Sequence, residues 1–508
     1  MRYLRYAFLA LCPGLPFLAF GSNVTFSNHT QNSAQNFSGG AAFYQHADMN
    51  NNDGREDLVW EYTPEMGGYY QFVVQLSTGD GAYAPPTAYS LPSNAEIAAI
   101  TVGDFNHDGS PDVAIFGQDN NLYLFLNNGR GTLTAGKQSS YSTDTSGDGV
   151  TVATGDFNHD SMTDLAFVES GILHIWFGDG KGSFTLGPTM AVNGSNPQIG
   201  DFDGDGKADL LLNDNANHTI AYVLYGDGTG HFPQTTTVTF NTPAWASPNT
   251  DYVDFTVGDA NSDGKTDIIA TQPGVYTNRV FVYYGDASRQ FASNTNMLLG
   301  RCVTGSATVG DLDGNGLNDL IVPEHDCNNP STGTRYIDVL TRNPDSSYNP
   351  DQTVYWAQAL GGTVYDIPSP AQVIRGNGDT RPDLLVEECA DSRCDAYTTT
   401  VQLNTTIGNF PTCNAPAAAS GINICSPMMD GSVASPVSFQ IGASGTVPMR
   451  DVEVWVDGTK MAEQVDGFSG YTFLNKNVDL TPGDHQVDVY AAGWDQSLQK
   501  KSFTLDVQ

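Results

Sequence analysis

One nine-residue pattern constrains this chain more than any other feature. It is D-x-[DN]-x-[DN]-G-x-x-D. It reads DFNHDGSPD at Asp104–Asp112, DFNHDSMTD at Asp156–Asp164, DFDGDGKAD at Asp201–Asp209, DANSDGKTD at Asp259–Asp267 and DLDGNGLND at Asp311–Asp319. Within these copies only Ser161 replaces the sixth-position Gly. Two further copies are damaged. DMNNNDGRED, Asp48–Asp57, carries one extra residue, and RGNGDTRPD, Arg375–Asp383, has Arg at the first position and Thr380 at the sixth. The closing residues Asp57, Asp112, Asp164, Asp209, Asp267, Asp319 and Asp383 are spaced by roughly 50 residues, a period that belongs to repeat architectures. These copies are numbered loops one to seven below.

The flanks show what the loops join. Each closing Asp runs into a short apolar stretch, such as Val113-Ala114-Ile115, Leu210-Leu211-Leu212 or Leu320-Ile321-Val322. β-type segments such as Ile100-Thr101-Val102 and Phe255-Thr256-Val257 precede the loops. Short β-rich runs bounded by Gly and Asp read as strands, so each loop is a turn between antiparallel strands. A second element follows: a strand running into a Gly-rich turn, often with an aromatic after it. Examples are Trp176–Phe184 (WFGDGKGSF), Leu224–Phe232 (LYGDGTGHF) and Tyr283–Phe291 (YYGDASRQF). One period therefore holds four strands, the content of a propeller blade. The predicted fold is all-β: a seven-bladed β-propeller over residues 22–411, closed so that no sheet edge is left open, with Asn23–Asn28 (NVTFSN) expected to complete the last blade's sheet and latch the ring.

The loops carry the chemistry. Short oxygen donors stand at positions one, three, five and nine, and a backbone carbonyl at position seven is a further ligand. That set suits Ca²⁺, which accepts a flexible oxygen shell. The expected ligands are Asp104, Asn106, Asp108, Ser110 and Asp112 in loop two, and Asp156, Asn158, Asp160, Met162 and Asp164 in loop three. They are Asp201, Asp203, Asp205, Lys207 and Asp209 in loop four, and Asp259, Asn261, Asp263, Lys265 and Asp267 in loop five. In loop six they are Asp311, Asp313, Asn315, Leu317 and Asp319, and in loop one Asp48, Asn50, Asp53 and Asp57. Ser110, Met162, Lys207, Lys265 and Leu317 would contribute main-chain oxygen only. Converging carboxylates repel without a cation, so about five to seven Ca²⁺ ions are expected. In loop seven Arg375 supplies a positive side chain where the metal would be. The spacing is not that of an EF-hand, because the last carboxylate comes at position nine and no helices flank the loops. A repeated site of this kind reads as structural rather than catalytic.

The Asp loops together with the Phe-Gly-type turns, such as Phe177-Gly178-Asp179-Gly180, resemble FG-GAP/VCBS repeats. These are the blades of integrin α-subunit propellers and of many secreted bacterial proteins. The resemblance spans roughly residues 23–411. It implies a calcium-binding propeller used in adhesion, ligand binding or carbohydrate recognition. Some fungal lectins share this blade type, and other such propellers are appended to enzymes.

The remaining features place the chain. Lys plus Arg is 21 against 57 Asp plus Glu, a formal net charge of −36, which disfavours nucleic acid and anionic lipid as partners. Residues 1–21 read as a signal peptide, with Arg2 and Arg5 before an apolar run and small residues Ala19 and Gly21 at its end. No later segment is apolar enough to span a bilayer. The chain is expected to be secreted or at the cell surface, as a monomer. Six cysteines follow the signal segment and suggest three local disulfides, Cys302–Cys327, Cys389–Cys394 and Cys413–Cys425. Cys302 and Cys327 lie symmetrically about loop six, where a cross-strand bridge is possible.

Residues 412–426 read as a linker. Beyond it, 427–508 lose the acidic loops and alternate apolar and polar residues at Val437–Ile441, Asp451–Val456, Gly470–Leu474, His485–Ala491 and Lys501–Val507. This predicts an antiparallel sandwich of immunoglobulin-like size, and its VEVWVDG pattern resembles bacterial Ig-like domains.

No G-x-S-x-G elbow, H-E-x-x-H helix, P-loop or dinucleotide fingerprint occurs, so no catalytic residue is assigned. Trp60, Trp176, Trp245 and Trp356 are candidates for a sugar surface, although blade-core packing is the simpler reading, as packing is for Trp455 and Trp494. The expected function is a calcium-stabilised binding or adhesion protein for an extracellular protein or glycan. A lectin and a polysaccharide-degrading enzyme are the alternatives.

Overall fold

The structure is a computed structural model. It describes Val24, Phe26 and Thr30–Ser33, and most of residues 44–508. Outside the described residues lie 51–53, 63–69, 142–149, 241–252, 273–277, 328–333, 359–370, 378–380, 390–396, 407–420, 428–431, 446–448, 466–470, 494–496 and a few single positions. Among the described residues the secondary structure is strand and turn only, with no helix.

Among the described residues up to 402 the strands form seven successive antiparallel sheets, six of four strands and the sixth of five. The second sheet shows the plan: Ile97–Gly103, Asp112–Gly117, Asn121–Asn127 and Leu133–Ser140 pair in chain order. Loop two joins its first two strands, with Gly103 opposite Asp112. The Gly-rich turn joins its last two. In an up-and-down sheet both turns fall at the same end, so all acidic loops and all Gly turns share one face. The first strands of successive sheets lie side by side.

These strands form because their residues are aliphatic and aromatic on both faces. Val113, Ala114, Ile115 and Phe116 are all fully buried. Such continuous runs suit strands covered on both sides. The buried side chains form clusters between sheets rather than within them. Met49, Phe72, Ile100 and Phe125 join sheets one and two, and Phe116, Phe167 and Trp176 join sheets two and three. A further cluster, with Leu58, Trp60, Ile374, Leu385 and Val401, joins sheet seven back to sheet one.

The seventh sheet is completed from the other end of the repeat region. Its strands Gln372–Ile374, Asp383–Cys389 and Tyr397–Gln402 take Thr30–Ser33 as their fourth member, with Thr30 opposite Val401. The sequence pointed to Asn23–Asn28 for this latch. The structure has a strand at Thr30–Ser33; of Asn23–Asn28 it describes Val24 and Phe26, and Phe26 bridges to Asn404, just beyond the last strand of the same sheet. The polar stretch TQNS has no apolar alternation that would mark it.

The sixth sheet carries the disulfide Cys302–Cys327, with a Cα–Cα distance of 5.1 Å. Cys302 pairs with His325 across the two arms of loop six, as the symmetric spacing suggested. Cys425 is also disulfide-bonded. Cys413 and Cys394 lie outside the described residues.

The C-terminal region is two stacked sheets. One contains Gly421–Ser426, Val437–Ser444 and Tyr471–Val478. The other contains Ser432–Val433, Leu498–Val507, Gly483–Gly493, Met449–Val456 and Thr459–Val465. Phe439, Ile441, Val452, Leu474, Val489 and Leu505 fill one core between them. Gly421–Ser426 lies within the expected linker, yet it is an edge strand of this sandwich. Ile422 and Ile424 do alternate with Asn423 and Cys425, but the run is short and follows the small-residue stretch 415–420, and its pairing with Val437–Ser444 is a contact at a distance along the chain.

Candidate metal centres

Each acidic loop is a chain of side-chain-to-backbone turns. In loop two the Asp108 and Gly109 N–H groups donate to the two Asp104 oxygens at 3.1 and 2.9 Å. The Asp108 N–H also donates to Asn106 Oδ1, and the Ser110 N–H to Asp108 Oδ1. The same links recur in loops three to six, for example Gly206 N–H to Asp201 and Gly316 N–H to Asp311. This winding closes loops two to six on the position-one carboxylate, which accepts from the fifth and sixth residues. It also requires left-handed backbone at two positions. The sixth residues Gly109, Gly206, Gly264 and Gly316 have φ between 81° and 89°, and Ser161 has 68°. The fourth residues include His107 at 57° and His159 at 65°. Both histidines are exposed.

The ninth position has a second role that the sequence did not show. Asp112 accepts the Phe105 N–H at 3.1 Å on one oxygen and the Asn127 N–H at 2.7 Å on the other. Asp164 takes Phe157 and Gly178, and Asp209 takes Phe202 and Gly226. Asp57, Asp319 and Asp383 are bonded in the same way, and Asp267 takes Asn261 and Gly285. This Asp therefore staples its own loop to the segment that follows the third strand of the same sheet. A carboxylate has about four lone-pair sites, so the staple leaves room for a metal. Gly is needed at the turn because a Cβ on Gly226 would lie 2.1 Å from the Ala208 carbonyl oxygen.

Position two ties neighbouring sheets together. The Phe105 carbonyl accepts the Gly182 N–H of the next sheet, and Phe157 accepts Gly230. Phe105 packs edge-on against Phe184, and Phe202 against Phe291. At the junction of loop seven with the first sheet, the Ser77 hydroxyl donates to the Gly376 carbonyl at 2.9 Å.

In loop four, one oxygen each of Asp201, Asp203 and Asp209 lies within 4.8 Å of the others, and so do oxygens of Asp311, Asp313 and Asp319 in loop six. Loops two, three and five, with Asn at position three, form no such group among the described residues, and the position-five carboxylates Asp108, Asp160, Asp205 and Asp263 join none. Electrostatics supports a cation here. Burial, reinforced by the neighbouring loop carboxylates, pushes Asp112 up to about 7 and Asp164 and Asp209 to about 8, against the backbone donors that pull the other way. Asp311 rises to about 7 for the same reasons. A divalent ion would reverse these shifts, since an opposite charge within a few ångströms favours the ionised form. The donor set, the convergence and the uncompensated buried charge all fit a hard oxygen-seeking cation.

The loops differ in their cationic neighbours. In loop four Arg289 Nε lies 2.6 Å from Asp203 Oδ2 and Lys207 Nζ 2.9 Å from Asp205 Oδ2. In loop five Lys265 Nζ is 3.4 Å from Asp263 Oδ2. Of loop one, Asp48 is buried and accepts the Gly54 N–H, Asn50 is partly exposed, and Asp53 lies outside the described residues. In loop seven Arg375 is buried, and its guanidinium sits 4.2 Å over the Phe473 ring.

A third acidic group, Asp451, Glu453 and Glu463, was not read from the sequence. Arg450 and Lys460 already pair with it, which accounts for it without an ion. Among the aromatic candidates Trp60 and Trp176 are buried in the core. The Trp245 residue, the Trp356 side chain and Trp494 lie outside the described residues. Trp455 donates to Glu453 and packs against Tyr490.

An all-β ring of mostly four-stranded sheets with acidic hairpin loops is a β-propeller. The FG-GAP-like repeat family matches residues 50–115, 108–167, 156–212, 201–270 and 259–322, so more than half the chain is covered and the chain belongs to that family. No curated protein matches it. Among solved structures, an Agrocybe aegerita lectin described as recognising non-reducing terminal N-acetylglucosamine is 18% identical, over 62% of this chain and 80% of that one, with a TM-score of 0.45. BBS1N, solved in complex with ARL6DN, is 12% identical over 75% of this chain and 99% of that one, with a TM-score of 0.44. The core factor of S. cerevisiae is 12% identical over 76% and 62%, with a TM-score of 0.45.

Proposed function

We propose that this FG-GAP propeller is an exported binding or adhesion protein whose acidic loops hold Ca²⁺ as a structural ion, and that it performs no catalysis. The observation that carries this reading is repetition. The same Asp staple occurs in all seven repeats, whereas a catalytic centre needs one constellation unlike the rest. The seven sheets act as seven closed blades, and the C-terminal sandwich is an Ig-like module. Residues 1–21 direct export, in keeping with the disulfide across loop six.

The partner is an extracellular protein or glycan, bound by a monomer on the face opposite the acidic loops. That face carries connections of unequal length: Glu169 and Ile172 bound a tight turn, whereas His325 and Thr334 are ends of strands much further apart. Variable connections on a rigid scaffold are where binding residues collect. Retention of the purified full chain on whole cells, before and after treating the cells with protease or glycosidases, tests this. Loss after protease supports a protein ligand, and loss after glycosidase a lectin. Depolymerisation of a polysaccharide by the chain would overturn the non-catalytic reading.

A further inference from the structure

The C-terminal sandwich rests on the loop-bearing face of the ring. Arg450 Nη1 donates to the Gly206 carbonyl and Lys476 Nζ to the Gly316 carbonyl, both at 2.8 Å. A Cβ on Gly264 would come within 2.4 Å of Glu463 Oε2. Gly206, Gly264 and Gly316 are the sixth residues of loops four, five and six, and the Arg375–Phe473 contact extends the interface to loop seven.

Two cations of the sandwich thus stand beside candidate ligands, but they are not equivalent. Arg450 already pairs with Asp451, Nε to Oδ2 at 2.6 Å. Lys476 is partly buried; burial lowers its pKa, the Asp259 and Asp311 carboxylates of loops five and six attract its ammonium and pull the other way, and the Arg342 guanidinium repels it. Its bond to the Gly316 carbonyl fixes that charge in place. A fixed positive charge on a partly buried site acts directly against a divalent ion, with little screening by salt.

We propose that Lys476 makes the sandwich a built-in competitor for calcium at loops five and six, so that the propeller has two classes of ion site. Loops two and three bind tightly, and loops five and six bind more weakly because a cation of the neighbouring domain shares their field. By reciprocity, filling loops five and six weakens the grip of the sandwich on the ring. The inference rests on the calcium reading of the loops.

Calorimetric Ca²⁺ titration of the full chain tests it. Lys476→Met should tighten the weak class at least about tenfold, which one unit charge about 6 Å from a divalent ion is worth even at the dielectric of water. Lys476→Gln keeps a donor for the Gly316 carbonyl and should tighten binding equally, whereas Lys476→Arg keeps the charge and should match the parent within about twofold. Unchanged or weaker binding in both neutral variants would overturn the proposal. A parent chain that binds no Ca²⁺ at all would instead overturn the reading on which it rests.

Discussion

The ring and the C-terminal sandwich are both built from antiparallel strands, yet they are held together by different means. The sandwich has one core, with Phe439, Ile441, Val454 and Val489 fully buried between two sheets. Its fold follows from alternation and burial alone. The ring has no single core. Its apolar side chains are split into separate clusters between neighbouring sheets, and at one end each sheet is fastened by an acidic loop. Dividing the core makes a wide ring possible, at the cost of depending on polar staples and on whatever neutralises them.

The largest expected effect separates the two regions outright. Removing Ca²⁺ with a chelator should lower the melting transition of the ring and leave that of the sandwich in place. An ion at a hundred times its Kd contributes about 2.7 kcal/mol per site, so five sites act on the order of 10 kcal/mol. Calorimetry with and without chelator reads this directly. A ring transition that does not move, together with no calcium by elemental analysis, would refute the metal assignment.

Next is the staple. Asp209→Ala leaves the buried Phe202 and Gly226 N–H groups without an acceptor and should cost roughly 2–5 kcal/mol. Asp209→Asn keeps one oxygen and should cost about half as much. Both losses should appear in the ring transition only. Equal stability of Asp209→Ala and the parent in denaturant unfolding would remove the staple from the account.

Ser161 offers a gain. It stands at a left-handed position, φ 68°, where a side chain costs about 1 kcal/mol. Ser161→Gly should therefore stabilise the ring by about that amount, measured as a rise in its melting temperature.

The smallest expected effect lies at the interface of the two regions. Burial raises Glu463 to about 7 although Lys460 pulls it down. A carboxyl raised above its unfolded value adds stability in acid that is lost as pH rises through the folded pKa. The sandwich should therefore melt slightly higher at pH 6 than at pH 8. Glu463→Gln should flatten that difference, and a pH dependence identical to the parent's would exclude Glu463 as its source.

Much of this division was legible in the sequence. The loops announce themselves because their ligands are contiguous, and the sandwich strands because alternation is local. The double duty of Asp112 was hidden because its second donor, Asn127, comes from another strand of the sheet, and nothing in either segment marks the pairing. The same holds for Lys476 and Gly316, 160 residues apart. The left-handed fourth position was missed because His107 and His159 do not advertise positive φ as Gly does. Arg375 was legible as a cation in a metal position, but its stacking on Phe473 was not.

The latch at Thr30–Ser33 has a consequence for how the chain reaches this state. Contacts that join the ends of the repeat region span 299 residues between Ser77 and Gly376 and 328 between Val24 and Gln352. Loop-closure entropy grows only slowly, about 0.6 kcal/mol for each doubling of length, so this distance is inexpensive at equilibrium. Order of assembly is another matter. Six sheets can complete themselves from consecutive strands as they emerge during synthesis, whereas the seventh must wait for a partner made long before. Thr30–Ser33, made before the other described strands, is thus among the last to be paired, and the ring passes through its assembly with one open edge that this earlier segment closes.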